Sequence, residues 1–204
     1  MDRYEDEGGL MMKKNSSKGL VKMIVISLLA ALSVVLFFIS FPLPLLPPYL
    51  KVDFSDVPAL IAGIIFSPLA GIIVVGLKNA VYLVATGVTD PVGILANFIA
   101  GSVFIFPVAY LYHRYKQMKS VVWGLVIGTV GMTIVMSILN YFIILPAYAL
   151  LINLEMTPTI KLVTVMTGVL PFNIIKGVIV GLLFSLLFMK MKQWIEQKNI
   201  ELAS

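Results

Sequence analysis

The sequence predicts an all-α integral membrane protein of six transmembrane helices with both termini in the cytoplasm. Three observations carry this prediction: the composition, the division of the apolar residues into membrane-length runs, and the placement of lysines and arginines between the runs. Of 204 residues, 60% are hydrophobic and 12% charged, with a mean hydropathy of +1.02. Globular chains carry about 25% charged residues. No cysteine is present, so disulfide and thiolate chemistry are excluded. The single histidine, His113, lies in a basic stretch, which argues against a histidine-based metal site. The net charge of +5 comes from lysines that flank the apolar runs. That is the positive-inside pattern rather than a nucleic-acid footprint.

Residues 1–18 are expected to form a disordered cytoplasmic segment, 19–195 the membrane domain and 196–204 a cytoplasmic tail, with Met1, Met11 and Met12 all open as the start. The first helix, expected over 20–41, follows Lys13, Lys14, Lys18 and Lys22. It is longer than a signal-peptide core of about 7–15 residues, and no clear cleavage site follows it. The loop Pro42–Asp56 then brings four prolines and five large aliphatic residues, which make it stiff. Two readings are open for this loop: a lid over a pocket, or a segment lying at the headgroup interface. Asp56, just before Val57-Pro58, reads as the N-cap of the next helix.

Val57–Thr86 is broken by Ser67-Pro68, and charge decides whether it crosses once or twice. Three positive clusters occur, Lys13/Lys14/Lys18/Lys22, Arg114/Lys116/Lys119 and Lys190/Lys192/Lys198. If all three are cytoplasmic, the number of crossings between neighbours must be even. Two helices, 57–66 and 68–86, satisfy this, followed by helices over 92–113, 121–151 and 160–191. The 57–66 helix is then too short to cross about 30 Å at 1.5 Å per residue. Short or Gly/Pro-interrupted segments point to binding sites in transporters.

The polar residues inside the runs are Lys78, Asn79, Asn97, Asn140, Asn173 and Lys176. An ionisable group near the bilayer centre costs at least about 2.5–3.5 kcal/mol, so it needs a partner, a cavity or a ligand. Asn173 and Lys176 are i,i+3 neighbours on one helix face, just after Pro171, which removes a backbone hydrogen bond. No carboxylate falls within the apolar runs, so an internal partner for Lys176 is not expected and a ligand is. Proton relays, sodium coupling and metal hydrolysis are disfavoured by the same absence. No G-x-x-x-x-G-K-[ST] phosphate loop is present. Carboxamides with a lysine suit a planar heterocycle carrying carbonyls on one edge, and Asn140, Asn173 and Lys176 are the candidates. Asn79 and Asn97 read either as ligand contacts or as helix–helix glue of about 0.6 kcal/mol each. Small-x-x-x-small pairs recur at Ser27/Ala31, Gly124/Gly128 and Gly177/Gly181, for internal packing or a partner protein.

Four segments carry a family resemblance: Phe41 to Gly63, Gly76-Leu-Lys-Asn79, Leu139-Asn-Tyr-Phe142 and Pro171-Phe-Asn-Ile-Ile-Lys-Gly177. Together they resemble the riboflavin-specific substrate-binding (S) components of energy-coupling factor (ECF) transporters, over nearly the whole chain from Met12. The resemblance implies a six-helix S-component bundle in the bacterial cell membrane that binds riboflavin and performs no chemistry. It needs no cofactor. Implied partners are a transmembrane coupling subunit and two ABC-type ATPase subunits. By motif, the ring-binding residues are Asn140, Asn173 and Lys176, and the ribityl contacts fall among Lys51, Asp53, Asn79 and Asn97. Leu45 and Leu46 are expected on the dimethylbenzene end. The family's Ala-x-x-x-Ala coupling motif falls on Ser27 and Ala31, a Ser-for-Ala departure that keeps both positions small. Two alternatives stay open: an S component for another vitamin, and a small membrane enzyme or structural membrane subunit.

Overall fold

The computed structural model describes residues 19–192 apart from 48, 152 and 154. The expectations for 1–18 and 196–204 lie outside them. Six helices follow in order: α1 (Gly19–Phe38), α2 (Asp56–Ile65), α3 (Pro68–Ala85), α4 (Pro91–Tyr115), α5 (Met118–Leu151) and α6 (Pro158–Lys192). Five are long and apolar enough to cross a membrane, and α2 is the short one. Val57–Thr86 is therefore two helices divided at Ser67-Pro68.

Three helices start on the same local device, a side-chain cap followed by proline at the first turn. Ser67 accepts from the Ala70 N–H (3.2 Å), Asp90 from the Gly93 N–H (2.9 Å) and Thr157 from the Ile160 N–H (3.3 Å). Each cap satisfies a backbone donor that the first turn leaves unpaired. Asp56 departs from this pattern and from the capping role expected of it. It is the first helical residue, and Ser55 before it has helical dihedrals and makes no capping bond. Its carboxylate is engaged elsewhere.

Nine of the ten α2 residues are buried, against α1, α3, α4 and α6. A helix wrapped by its neighbours has no lipid-facing side, so its length need not match the bilayer. The α4 and α5 backbones approach closely. A Cβ added at Gly124 would lie 2.6 Å from Val108 Cα, and one at Gly128 2.5 Å from the Phe104 carbonyl oxygen. Absence of a side chain at these two positions is what lets the backbones meet.

The α1–α2 connection forms a two-residue antiparallel ladder, β1 (Phe41–Pro42) with β2 (Lys51–Val52). Turns close at Leu46 N–H to Leu43 O and Leu50 N–H to Pro47 O. The loop lies on α6, with Pro47 3.2 Å from where a Gly168 Cβ would stand. It covers protein, as a lid does.

Both α5 and α6 contain one π turn, Asn140–Ile144 and Val165–Val169. Each inserts a residue and re-phases the helix. At about 100° per residue, an uninterrupted helix would turn Tyr148 about 120° away from Met136; the inserted residue brings the offset back to about 20°. One face of α5 thus stays aligned over three turns.

Gly128→Val is expected to destabilise detergent-solubilised protein by about 1–3 kcal/mol through overpacking, read as a lower melting temperature. Gly181→Ala should melt like wild type, because its added Cβ meets only Leu125 side-chain atoms at 3.7–3.8 Å. Equal melting shifts in the two variants would contradict the assigned close approach.

Candidate functional site

The site is built on four buried ionisable side chains. Asp53 and Asp56 come from the end of the lid loop and the start of α2, Lys78 from α3 and Lys176 from α6, none more than 4% exposed. Lys176 Nζ lies 3.1 Å from Asp53 Oδ2 and 3.5 Å from Asp56 Oδ2. Lys78 Nζ lies 2.6 Å from Asp56 Oδ1, also donates to the Ser55 hydroxyl, and sits 5.1 Å from the centre of the Phe37 ring. The expectation that no acid would be available to neutralise Lys176 is therefore corrected. The acids belong to a loop by sequence, but the loop folds inward and carries them to the lysines.

The remaining valences are filled by the same short segment. Asp53 Oδ1 accepts from the Ser55 N–H (2.9 Å) and from the Ser55 hydroxyl. The Ser33 hydroxyl on α1 donates to the Ser55 carbonyl. Burial alone would raise the Asp53 carboxyl, but the Lys176 charge, then that of Lys78, and the Ser55 hydrogen bond outweigh it and hold the group at about 2. Two negative and two positive groups cancel, the condition under which such burial is tolerated.

Beside this cluster is a cavity of about 390 Å³, within the usual range of about 300–1,000 Å³ for small-molecule sites. Lys176, Asn173 and Phe172 of α6 line it together with Asn140 of α5 and Asn97 of α4. The Asn140 amide donates to the Met136 carbonyl (2.8 Å) and the Asn173 amide to the Val169 carbonyl (2.7 Å). Each amide is fixed by its own helix one turn back. One N–H and the carbonyl oxygen of each remain for a ligand, and Lys176 adds donors. Aromatic side chains line the cavity as well: Phe37, Tyr49, Tyr82, Tyr148 and Phe172. It can seat a flat ring whose edge alternates acceptors and a donor.

The structure brings Asn140, Asn173, Lys176, Asn97 and Lys51 to this cavity. Asn97 presents a buried carbonyl oxygen that has no partner among the described residues. Asp53 is not in the lining; it holds Lys176 from behind. Asn79 also stays outside the lining, donating to the Val75 carbonyl of its own helix, and its buried oxygen has no partner among the described residues. That bond is within α3, so it is not the interhelical glue considered for it. Leu45 is fully exposed, with φ at 67°, and neither it nor Leu46 lines the cavity. Tyr49, Leu50 and Lys51 are the loop residues that do. Ser27 and Ala31 are exposed on α1, among Ile24, Leu28, Leu32 and Val35. Tyr148 and Asp90 were not anticipated. Tyr148, eight residues past Asn140, falls off the Asn140 face of a regular helix by about 80°, and only the π turn restores it.

These features define a helical membrane protein with a cavity lined by polar and aromatic side chains beneath the loop that joins α1 to α2. The chain belongs to the family of ECF transporter substrate-specific components, whose model matches residues 21–188. It is a multi-pass membrane protein and a transporter component rather than an enzyme. It is similar to the "Riboflavin transporter FmnP" of Bacillus subtilis (strain 168), 48% identical over 181 residues that cover 87% of this chain and 95% of that protein. It is also similar to the "Riboflavin transporter RibU" of Staphylococcus aureus (strain TCH60), 46% identical over 177 residues, 86% of this chain and 93% of the relative. A solved structure, "Structure and mechanism of the S component of a bacterial ECF transporter", superposes with a TM-score of 0.76 at 43% identity, covering 87% of this chain and 98% of the other.

Asp56→Asn is expected to lower the stability of the ligand-free protein by about 3–5 kcal/mol, because Lys78 would remain buried without its closest countercharge. Thermal or chemical unfolding in detergent checks this, and a change below about 1 kcal/mol would contradict the account of the cluster.

Proposed function

We propose that this chain captures riboflavin from outside the cell and delivers it through an ATP-driven ECF complex. The observation that carries the reading is the convergence of Asn140, Asn173 and Lys176 on one aromatic-walled cavity. Riboflavin presents an imide edge, C=O–N–H–C=O, on a flat hydrophobic ring. The side-chain carbonyl of Asn140 or Asn173 can accept from the imide N–H, while Lys176 and the free amide N–H groups donate to the flanking carbonyls. Burial of the ring against Tyr49, Tyr82 and Phe172 favours binding at about 25 cal/mol per Å². Asn97, with its unpartnered oxygen, and Lys51 are assigned to the hydroxylated ribityl chain. The similarity to two riboflavin transporters supports the same ligand.

The chain carries no phosphate loop, so the energy has to come from elsewhere. We assign that role to two ABC-type ATPase subunits, joined to this chain by a transmembrane coupling subunit. The exposed small positions Ser27 and Ala31 on α1 are the surface assigned to the coupling subunit, since they permit close helix approach. In this arrangement the lid loop faces outward and both termini face the cytoplasm, which agrees with the basic residues at the opposite end of the bundle, Lys22, Arg114, Lys116 and Lys119.

Purified protein is expected to quench riboflavin fluorescence at about one equivalent, and Asn173→Leu to weaken binding by about 1–3 kcal/mol through an unpaired imide edge. Absence of quenching by wild type would rule out the ligand; wild-type affinity in Asn173→Leu would rule out the pose. For orientation, a cysteine at the fully exposed Leu45 should react with an impermeant maleimide on intact cells, and one at Lys116 should react only after permeabilisation. The reverse pattern would invert the topology.

A further inference from the structure

The Tyr148 hydroxyl donates to Asp90 Oδ1 at 2.6 Å, joining the outer half of α5 to the α3–α4 connection. Both residues line the cavity. Asp90 is exposed and Tyr148 half-buried, so the bond lies where the cavity meets water. Each partner is placed by a separate device. Asp90 is held as the α4 N-cap through the Gly93 N–H, and Tyr148 is turned onto the cavity face by the π turn Asn140–Ile144. The space around the bond is also kept clear. A Cβ at Gly93 would lie 2.7 Å from the Tyr148 hydroxyl and in collision with the Asp90 carboxylate.

We propose that the Asp90–Tyr148 pair is the latch of the cavity mouth, and that Tyr148 is a positioning residue which sets how long the ligand stays bound. A molecule seated against Asn140, Asn173 and Lys176 lies between the wall that carries Asp90 and the wall that carries Tyr148. The bond closes these walls toward the lid, so release requires it to part. Two walls brought together by three independent features, a cap, a π turn and an obligatory glycine, are more than the bundle needs for packing. α4 and α5 are already held together farther along by Gly124 and Gly128.

The proposal rests on the riboflavin reading, and stopped-flow fluorescence separates the two. Wild-type protein loaded with riboflavin and then chased should regain fluorescence slowly; a wild type that never quenches riboflavin sinks that reading, and the latch with it. Given quenching, Tyr148→Phe is expected to release riboflavin about five- to tenfold faster, the loss of one hydrogen bond, with association changed by less than about twofold. Gly93→Ala should also release riboflavin faster by pushing the pair apart, and because its Cβ strains the Asp90 cap it should lower the melting temperature of the ligand-free protein as well. A wild-type release rate in Tyr148→Phe overturns the latch. So does a clear fall in the ligand-free melting temperature of Tyr148→Phe, which would make the bond a structural tie.

Discussion

Everything near the cavity depends on the buried arrangement of Asp53, Asp56, Lys78 and Lys176. A lysine in the membrane interior is costly, and two are more so. The fold accommodates both by bending the lid loop back so that its last residues deliver two carboxylates to the centre of the bundle. Because Asp53 and Asp56 are close in sequence, one short segment balances charges contributed by two distant helices. Ser55, between them, spends its side chain and both backbone polar groups within or beside the same cluster, and through Ser33 it brings α1 into it. The short α2 follows from this. It begins at the cluster, is surrounded by other helices and has no bilayer to match.

The same cluster gives the site its polarity. Lys176 is held from behind by Asp53 while it lines the cavity, so its charge is already balanced when a ligand arrives. A neutral molecule with carbonyls on one edge can then accept its remaining donors without leaving a countercharge unpaired. An anionic ligand would compete with Asp53 for the same ammonium. The arrangement therefore favours neutral acceptors, and hydrogen bonds to a charged donor are the stronger class, at about 1.5–3 kcal/mol. Asn140 and Asn173, clamped to their own helices, add direction without charge.

Much of this was legible in the sequence because membrane insertion leaves strong marks. Run length, the Ser67-Pro68 break and the parity of the basic clusters were sufficient for six helices with a short second one. Asn140, Asn173 and Lys176 stood out because polar groups in apolar runs are rare and demand a reason, and the fold places all three on one cavity. What was missed has a physical cause in each case. Asp53 and Asp56 were read as loop residues since hydropathy reports position along the chain and not the direction in which a loop folds. Their number was a clue, because two acids at the loop's end match two lysines in the spans. Leu45 and Leu46 looked suited to an aromatic ligand, but a left-handed backbone at Leu45 turns that tip outward, and Tyr49 and Leu50 line the cavity instead. Tyr148 was hidden by a π turn, which no hydrophobic periodicity announces.

In the proposed function the Asp53–Lys176 pair serves recognition and not stability. The double variant Lys176→Met with Asp53→Asn tests this most directly, with unfolding of the ligand-free protein and riboflavin titration measured on the same sample. Each single change should destabilise the protein by leaving an unpaired buried charge, by up to about 3–5 kcal/mol, and the double change should recover most of that loss. Binding should remain weakened at least about tenfold in the double variant, since the donor to the ligand is gone. A double variant that binds like wild type, or one no more stable than the worse single variant, would contradict the account.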